Sequence, residues 1–95
     1  MPRIEIDAPA TLREGATVAR IRLADISQGG AKIVTESDFA PGADIVLSVP
    51  GLAPIHGVIR WVGDGEAGVT FNRLVALPQL VEFLQGQQQR LRAAS

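Results

Sequence analysis

Short runs of strand-forming residues, the first two alternating apolar and polar with a period of two, succeed one another as far as Phe71, and the spacing then shifts to a helical period. Ile4 and Ile6 alternate with Glu5 and Asp7, the pattern of a half-buried strand. Pro9 interrupts it in a way that suits an edge or a bulge, and residues 10–13 continue it to a turn at Glu14-Gly15. A second strand covers about 16–24, where Thr17-Val18-Ala19-Arg20-Ile21-Arg22-Leu23 alternates through most of its length. A third resumes at Ala31-Lys32-Ile33-Val34-Thr35. Pro41-Gly42 reads as a turn in the polar connection that follows, and Phe39 within that connection is expected to plug one end of the core. Residues 43–49 form a fourth strand, stopped by Pro50-Gly51. Its continuous apolar centre, Ile45-Val46-Leu47, implies burial on both faces or an outside contact. Residues 55–62 and 67–71 form the last two strands, joined tightly through Gly63-Asp64-Gly65-Glu66. Six short strands with frequent turn signals predict an all-β fold, a small closed or nearly closed antiparallel barrel.

From Pro78 the spacing changes. Leu77, Leu80, Val81, Leu84 and Leu91 recur at helical intervals, and Pro78 suits a first helical turn. Gly86 costs about 1 kcal/mol relative to alanine inside a helix. The expectation is therefore a firm C-terminal helix over 78–85, a frayed or partner-dependent continuation to 92, and mobile residues at 93–95. Together these elements make one domain over 1–95, with the barrel at about 3–72 and the helix at about 78–92.

Ninety-five residues suffice for a single core. An apolar fraction of 46% and a charged fraction of 20% describe a globular chain rather than a disordered one. Lysine and arginine number 9 against 10 acids, so there is no basic excess to track a DNA or RNA backbone. A compact dianion can still be held by a few local arginines. The absence of cysteine removes disulfides and thiolate metal sites. No apolar run reaches membrane-spanning length and the N-terminus lacks a signal-peptide pattern, so direct membrane insertion is not expected and a cytoplasmic location is the default.

The polar corner Asp25-Ile26-Ser27-Gln28-Gly29-Gly30 separates the second and third strands. At its simplest it turns the chain, because Asp and Ser side chains bond backbone amides and Gly tolerates positive φ. A short carboxylate, a hydroxyl and bare backbone grouped at a strand end also suit the polar edge of a purine, whose ring nitrogens offer donors to Asp25 and acceptors to an amide or hydroxyl.

Asp25, Ser27 and Gly30 match the D/N-x-S-x-x-G motif of PilZ domains, and their setting resembles that family as well. Pro2-Arg3-Ile4-Glu5-Ile6 is similar to the family's entry into its first strand, where Arg3 takes the place of the second arginine of an R-x-x-x-R motif. Ile59-Arg60-Trp61 and Gly68-Val69-Thr70-Phe71 look like its last two strands. The resemblance runs from about Arg3 to Leu84 and implies a PilZ-like six-stranded barrel. The first arginine of the pair would fall four residues before Arg3, ahead of Met1, and no other two arginines are spaced by four. Two expectations follow: a domain belonging to a longer protein, or a variant with half the arginine clamp.

What the resemblance implies is binding of cyclic di-GMP, with no other cofactor, by Arg3, Asp25, Ser27 and Gly30. Arg3 would offer its planar fork to a phosphate or a guanine edge, or stack on a base. Asp25 would accept from guanine N1–H and the N2 amine, Ser27 would add a bond or brace the loop, and Gly30 would act through its missing side chain. Arg20 and Arg22 share a strand face, as a basic patch or simply a solvated one. Trp61 is a core or rim aromatic that, beside Arg60, can also serve as a stacking plate. His56 is the only histidine and suggests no metal. Ser27, His56 and Asp25 have the residue types of a hydrolase triad but nothing further, so no catalytic residue is assigned. The reading is a second-messenger sensor that acts on a neighbouring domain or partner. Its alternative is an adaptor that binds no nucleotide and works through apolar contacts of Ile45-Val46-Leu47 or of the helix around Leu80, Val81 and Leu84.

Overall fold

The computed structural model describes residues 3–94, with side chains described through Gln87. The expected strand stretches form β1 (Ile4–Glu14), β2 (Thr17–Ile26), β3 (Gly30–Val34), β4 (Asp44–Ser48), β5 (Ile55–Gly63) and β6 (Glu66–Phe71), followed by α1 (Leu77–Ala94). Every pairing is antiparallel, and the order β1-β2-β3-β6-β5-β4 closes into a barrel where β1 meets β4. The six-stranded antiparallel barrel with a C-terminal helix is thus the fold that the alternation predicts.

Inward positions supply the core. Leu12, Leu23, Ile26, Ile33, Leu47 and Ile59 are the largest fully buried side chains, and Phe39 joins them from the β3–β4 connection. On β4, Ile45 and Leu47 point inward while Val46 is only half-buried on the outside. Pro9 pairs with Arg22 on β2, but pairing with β4 begins only at Thr11, so the proline takes no place in that second ladder. The β5–β6 connection is a two-residue loop in which Asp64 (φ 53°) and Gly65 (φ 76°) both adopt positive φ, as a type I′ turn requires.

Two register shifts matter more than the regular pairing. On β2, Leu23 pairs with Ile33, yet Asp25 pairs with Lys32, so two steps on one strand answer one on the other. Unbroken alternation from the buried Ala19, Ile21 and Leu23 would send Asp25 into the core; the bulge at Ala24 turns it outward and sends Ile26 inward instead. The same occurs on β5, where Ile59 pairs with Val69 but Trp61 pairs with Gly68. Trp61 would follow Ile55, Gly57 and Ile59 inward, and the bulge at Arg60 leaves it 43% exposed on the outer face.

Helix α1 differs from its predicted face. Leu80 and Phe83 are buried and Leu84 packs against the core, whereas Leu77 and Val81 are exposed at 56% and 44%. A β-carbon built on Gly51 would lie 3.4 Å from the Phe83 ring, so the helix rests against the β4–β5 turn. Contact with that turn selects the Leu80–Phe83–Leu84 stripe over the one containing Leu77 and Val81. The backbone continues as helix through Gly86 to Ala94, past the predicted weak point. The expectations for the Leu91 side chain and for Ser95 lie outside the described residues. No described helix is long and apolar enough to cross a membrane.

Candidate functional site

Asp25 is the centre of a small charged cluster. Its side chain is 10% exposed; Oδ1 accepts the backbone N–H of Lys32 at 3.1 Å and the Arg3 guanidinium at 3.5 Å. Lys32 Nζ stands 3.9 Å from Oδ2 and 3.6 Å from Glu66 Oε2. β1 supplies Arg3 just before its first residue, β2 supplies Asp25 through its bulge, and β3 supplies Lys32. The predicted pair Arg3 and Asp25, 22 positions apart, is therefore brought together. Lys32 carries no sequence assignment beyond its strand; its outward position one step past Ala31 is the only signal of its placement.

The corner itself is tightly braced. Ser27 N–H donates to the Gly30 carbonyl at 2.8 Å and the Ser27 hydroxyl donates to the same oxygen at 3.3 Å, so this buried serine holds the turn. Gly30 is not in the positive-φ region, contrary to one of its expected uses. Its need is steric: a β-carbon there would approach the Val69 carbonyl oxygen at 2.7 Å, a contact that β6 backbone could relieve only by moving. Gln28 clasps the segment beyond β6, donating from Nε2 to the Val75 carbonyl at 3.0 Å while its own carbonyl accepts Val75 N–H at 2.8 Å. Phe71 N–H adds a bond to the Gly29 carbonyl at 2.9 Å.

Cross-strand register extends the site sideways. Paired residues share a face, so Asp25, Lys32, Gly68 and Trp61 form one row across β2, β3, β6 and β5 on the outside of the barrel. At the usual strand spacing the row spans about 14 Å of backbone. Trp61 lies over Gly68, where any β-carbon would overlap the indole. An aromatic plate and a carboxylate thus share one surface, with Lys32 between them.

The other candidates stand apart from this row. Arg22 pairs with Asp7 at 2.6 Å, and both Arg20 and Arg22 border an open cleft of about 1000 Å³ lined by parts of β1 and β2, by residues 34–37 and by residues 48–50. None of Arg3, Asp25, Ser27 and Gly30 lines that cleft, whose surface is mainly apolar. The convergent polar groups lie instead at the corner, around Asp25. His56 pairs with Val46 on the outer face of β5 and is not bonded to Ser27, whose hydroxyl serves Gly30.

The PilZ domain family model matches residues 1–86. The chain belongs to the PilZ domain family, a class of regulatory binding modules. No curated protein matches it in sequence. Among solved structures it is similar to Borreliella burgdorferi PlzA in complex with c-di-GMP, with TM-score 0.71 and 16% identity over 87% of this chain and 38% of that one. It is similar also to the PilZ domain of CeSA from a cellulose-synthesizing bacterium, with TM-score 0.67 and 16% identity over 94% and 97%. A third is Bacillus subtilis MotI/DgrA, an inhibitor of motility, with TM-score 0.62 and 15% identity over 95% and 50%. The chain therefore spans less than two thirds of PlzA and of MotI.

Proposed function

We propose that this chain is a cyclic di-GMP-binding sensor module of the cytoplasm, taking the ligand on the outer barrel face at the Asp25–Gly30 corner. The observation that supports this best is the row that two bulges create, in which Asp25 and Trp61 both leave the core and face the same way. Asp25 accepts from the Watson–Crick edge of a guanine, exchanging Arg3 for the base, and Arg3 turns to a phosphate or stacks on the second base. Trp61 supplies the stacking plate. Ser27 and Gly30 hold the corner in shape and bring its backbone to the ligand. Binding is transmitted through the Gln28–Val75 clasp to α1, and from there to an adjoining domain or protein partner.

Calorimetric titration of cyclic di-GMP into the wild-type chain and Asp25→Ala tests the reading. Saturable binding that Asp25→Ala weakens by at least about ten-fold is the expected result, the size of a lost charge-assisted bond. Absence of binding by the folded wild-type chain would overturn it.

A second reading is an adaptor that acts through protein contact alone. Ile45, Leu47 and Leu80 are core and Leu84 is half-buried, so those apolar groups are not free for it. Leu74, Leu77 and Val81, exposed at 64%, 56% and 44%, are the observation in its favour. They also offer the output surface that a sensor needs.

A further inference from the structure

We propose that Lys32 is a ligand-contacting cation of the corner site and that Glu66 holds it in reserve until an anionic ligand arrives. This rests on the cyclic di-GMP reading above. The Lys32 ammonium is 3.9 Å from Asp25 Oδ2 and 3.6 Å from Glu66 Oε2. Charge-assisted N–H···O bonds are shorter, about 2.7–2.9 Å, so Lys32 is attracted by both carboxylates and bonded to neither. Its side chain is 36% exposed, leaving its donors open to a ligand. The Lys32 backbone, by contrast, is fixed by the bond to Asp25 and by pairing with β2 on one side and β6 on the other. A charged tip on a flexible four-carbon stem, rooted at a rigid point, can sweep the surface between Asp25 and the Trp61 plate.

In the cyclic di-GMP reading one guanine meets Asp25 and a base stacks on Trp61, and the phosphodiesters that join the two nucleosides then cross the row between them, where Lys32 stands. Among the described residues Arg3 is the other cation in contact with Asp25. On binding, Lys32 exchanges a solvent-screened pair with Glu66 for a bond to a phosphate oxygen. Glu66, 38% exposed and opposite Val34 at the start of β6, is left unpaired near a dianion. Lys32 therefore raises affinity and Glu66 lowers it.

The test is titration of cyclic di-GMP into the wild-type chain, Lys32→Met, Lys32→Arg, Glu66→Gln and the double variant Lys32→Met/Glu66→Gln, with thermal melting of each as the check on folding. Lys32→Met should weaken binding about ten-fold or more, Lys32→Arg should recover most of that loss, and raised salt should matter less to Lys32→Met than to the wild type. Glu66→Gln should tighten binding, and the gain should shrink when Lys32→Met is also present. A folded Lys32→Met chain that binds like a binding-competent wild type would overturn the Lys32 assignment alone. Equal affinity of Glu66→Gln and wild type would overturn the reserve role of Glu66. If Lys32→Met melts early, failure of Glu66→Gln to tighten and a loss of binding in Lys32→Arg equal to that in Lys32→Met would together overturn the proposal. A wild-type chain that takes up no cyclic di-GMP would overturn both this inference and the reading on which it rests.

Discussion

Individual residues here are chosen as much for what they leave empty as for what they contact. Gly30 and Gly68 have no side chain for different reasons: at Gly30 a β-carbon would strike the β6 backbone, and at Gly68 it would strike an indole. Gly30→Ala should therefore destabilise the fold by about 1–3 kcal/mol, the cost of forcing backbone apart in a packed site, measurable as a lower urea midpoint. Gly68→Ala should act mainly on Trp61, displacing the ring into water and shifting its fluorescence to longer wavelength while the barrel persists. An unchanged emission maximum would mean the indole does not depend on that gap. Because Trp61 is the only tryptophan, the same signal can follow ligand addition without a label. The corner motif and Arg3 were legible as residues. The reason for Gly30 was not, since close approach by β6 depends on a strand 39 residues further along, where Val69 sits opposite Ala31.

Among the elements, strands were easier to read than the helix or the pairing. Alternation, Asp64-Gly65 and Pro50-Gly51 marked the strands and their ends, because those signals are local. A bulge is a relation between two strands, and no feature of the Leu23-Ala24-Asp25 or Ile59-Arg60-Trp61 stretches announces it. The helix face was read only in part, Leu80 and Leu84 correctly: Leu77 and Val81 fit the period as well as Phe83 does, and only the turn at Gly51 decides between them. Leu80→Ala and Phe83→Ala should each cost about 2–5 kcal/mol in chemical denaturation, while Val81→Ala should stay within about 0.5 kcal/mol. Equal losses at Val81 and Phe83 would contradict this helix orientation. Gly86→Ala, with open space around the position, should stabilise the chain by about 0.5–1 kcal/mol.

At the scale of the whole molecule, closure of the barrel was legible from six short strands and their turn signals, whereas the assembly of a surface row from four of them was not. Only register places Asp25 and Trp61 on one row, and register follows from tertiary pairing. A ligand bound across that row holds several strands at once, so its binding energy becomes folding energy. Cyclic di-GMP at one hundred times its dissociation constant should add about 2.7 kcal/mol of stability and raise the melting temperature by several degrees or more, and Asp25→Ala should lose the shift at the same concentration. The clasp between Gln28 and Val75 gives the molecule a further property, that of a gauge. Val75 lies outside every strand and helix, yet its amide proton is held by the corner's own carbonyl. The rate at which that proton exchanges with deuterated water thus measures how often the corner lets go of the chain leading to the helix. One amide signal reads the latch between the corner and the segment that leads into α1 without any partner being present.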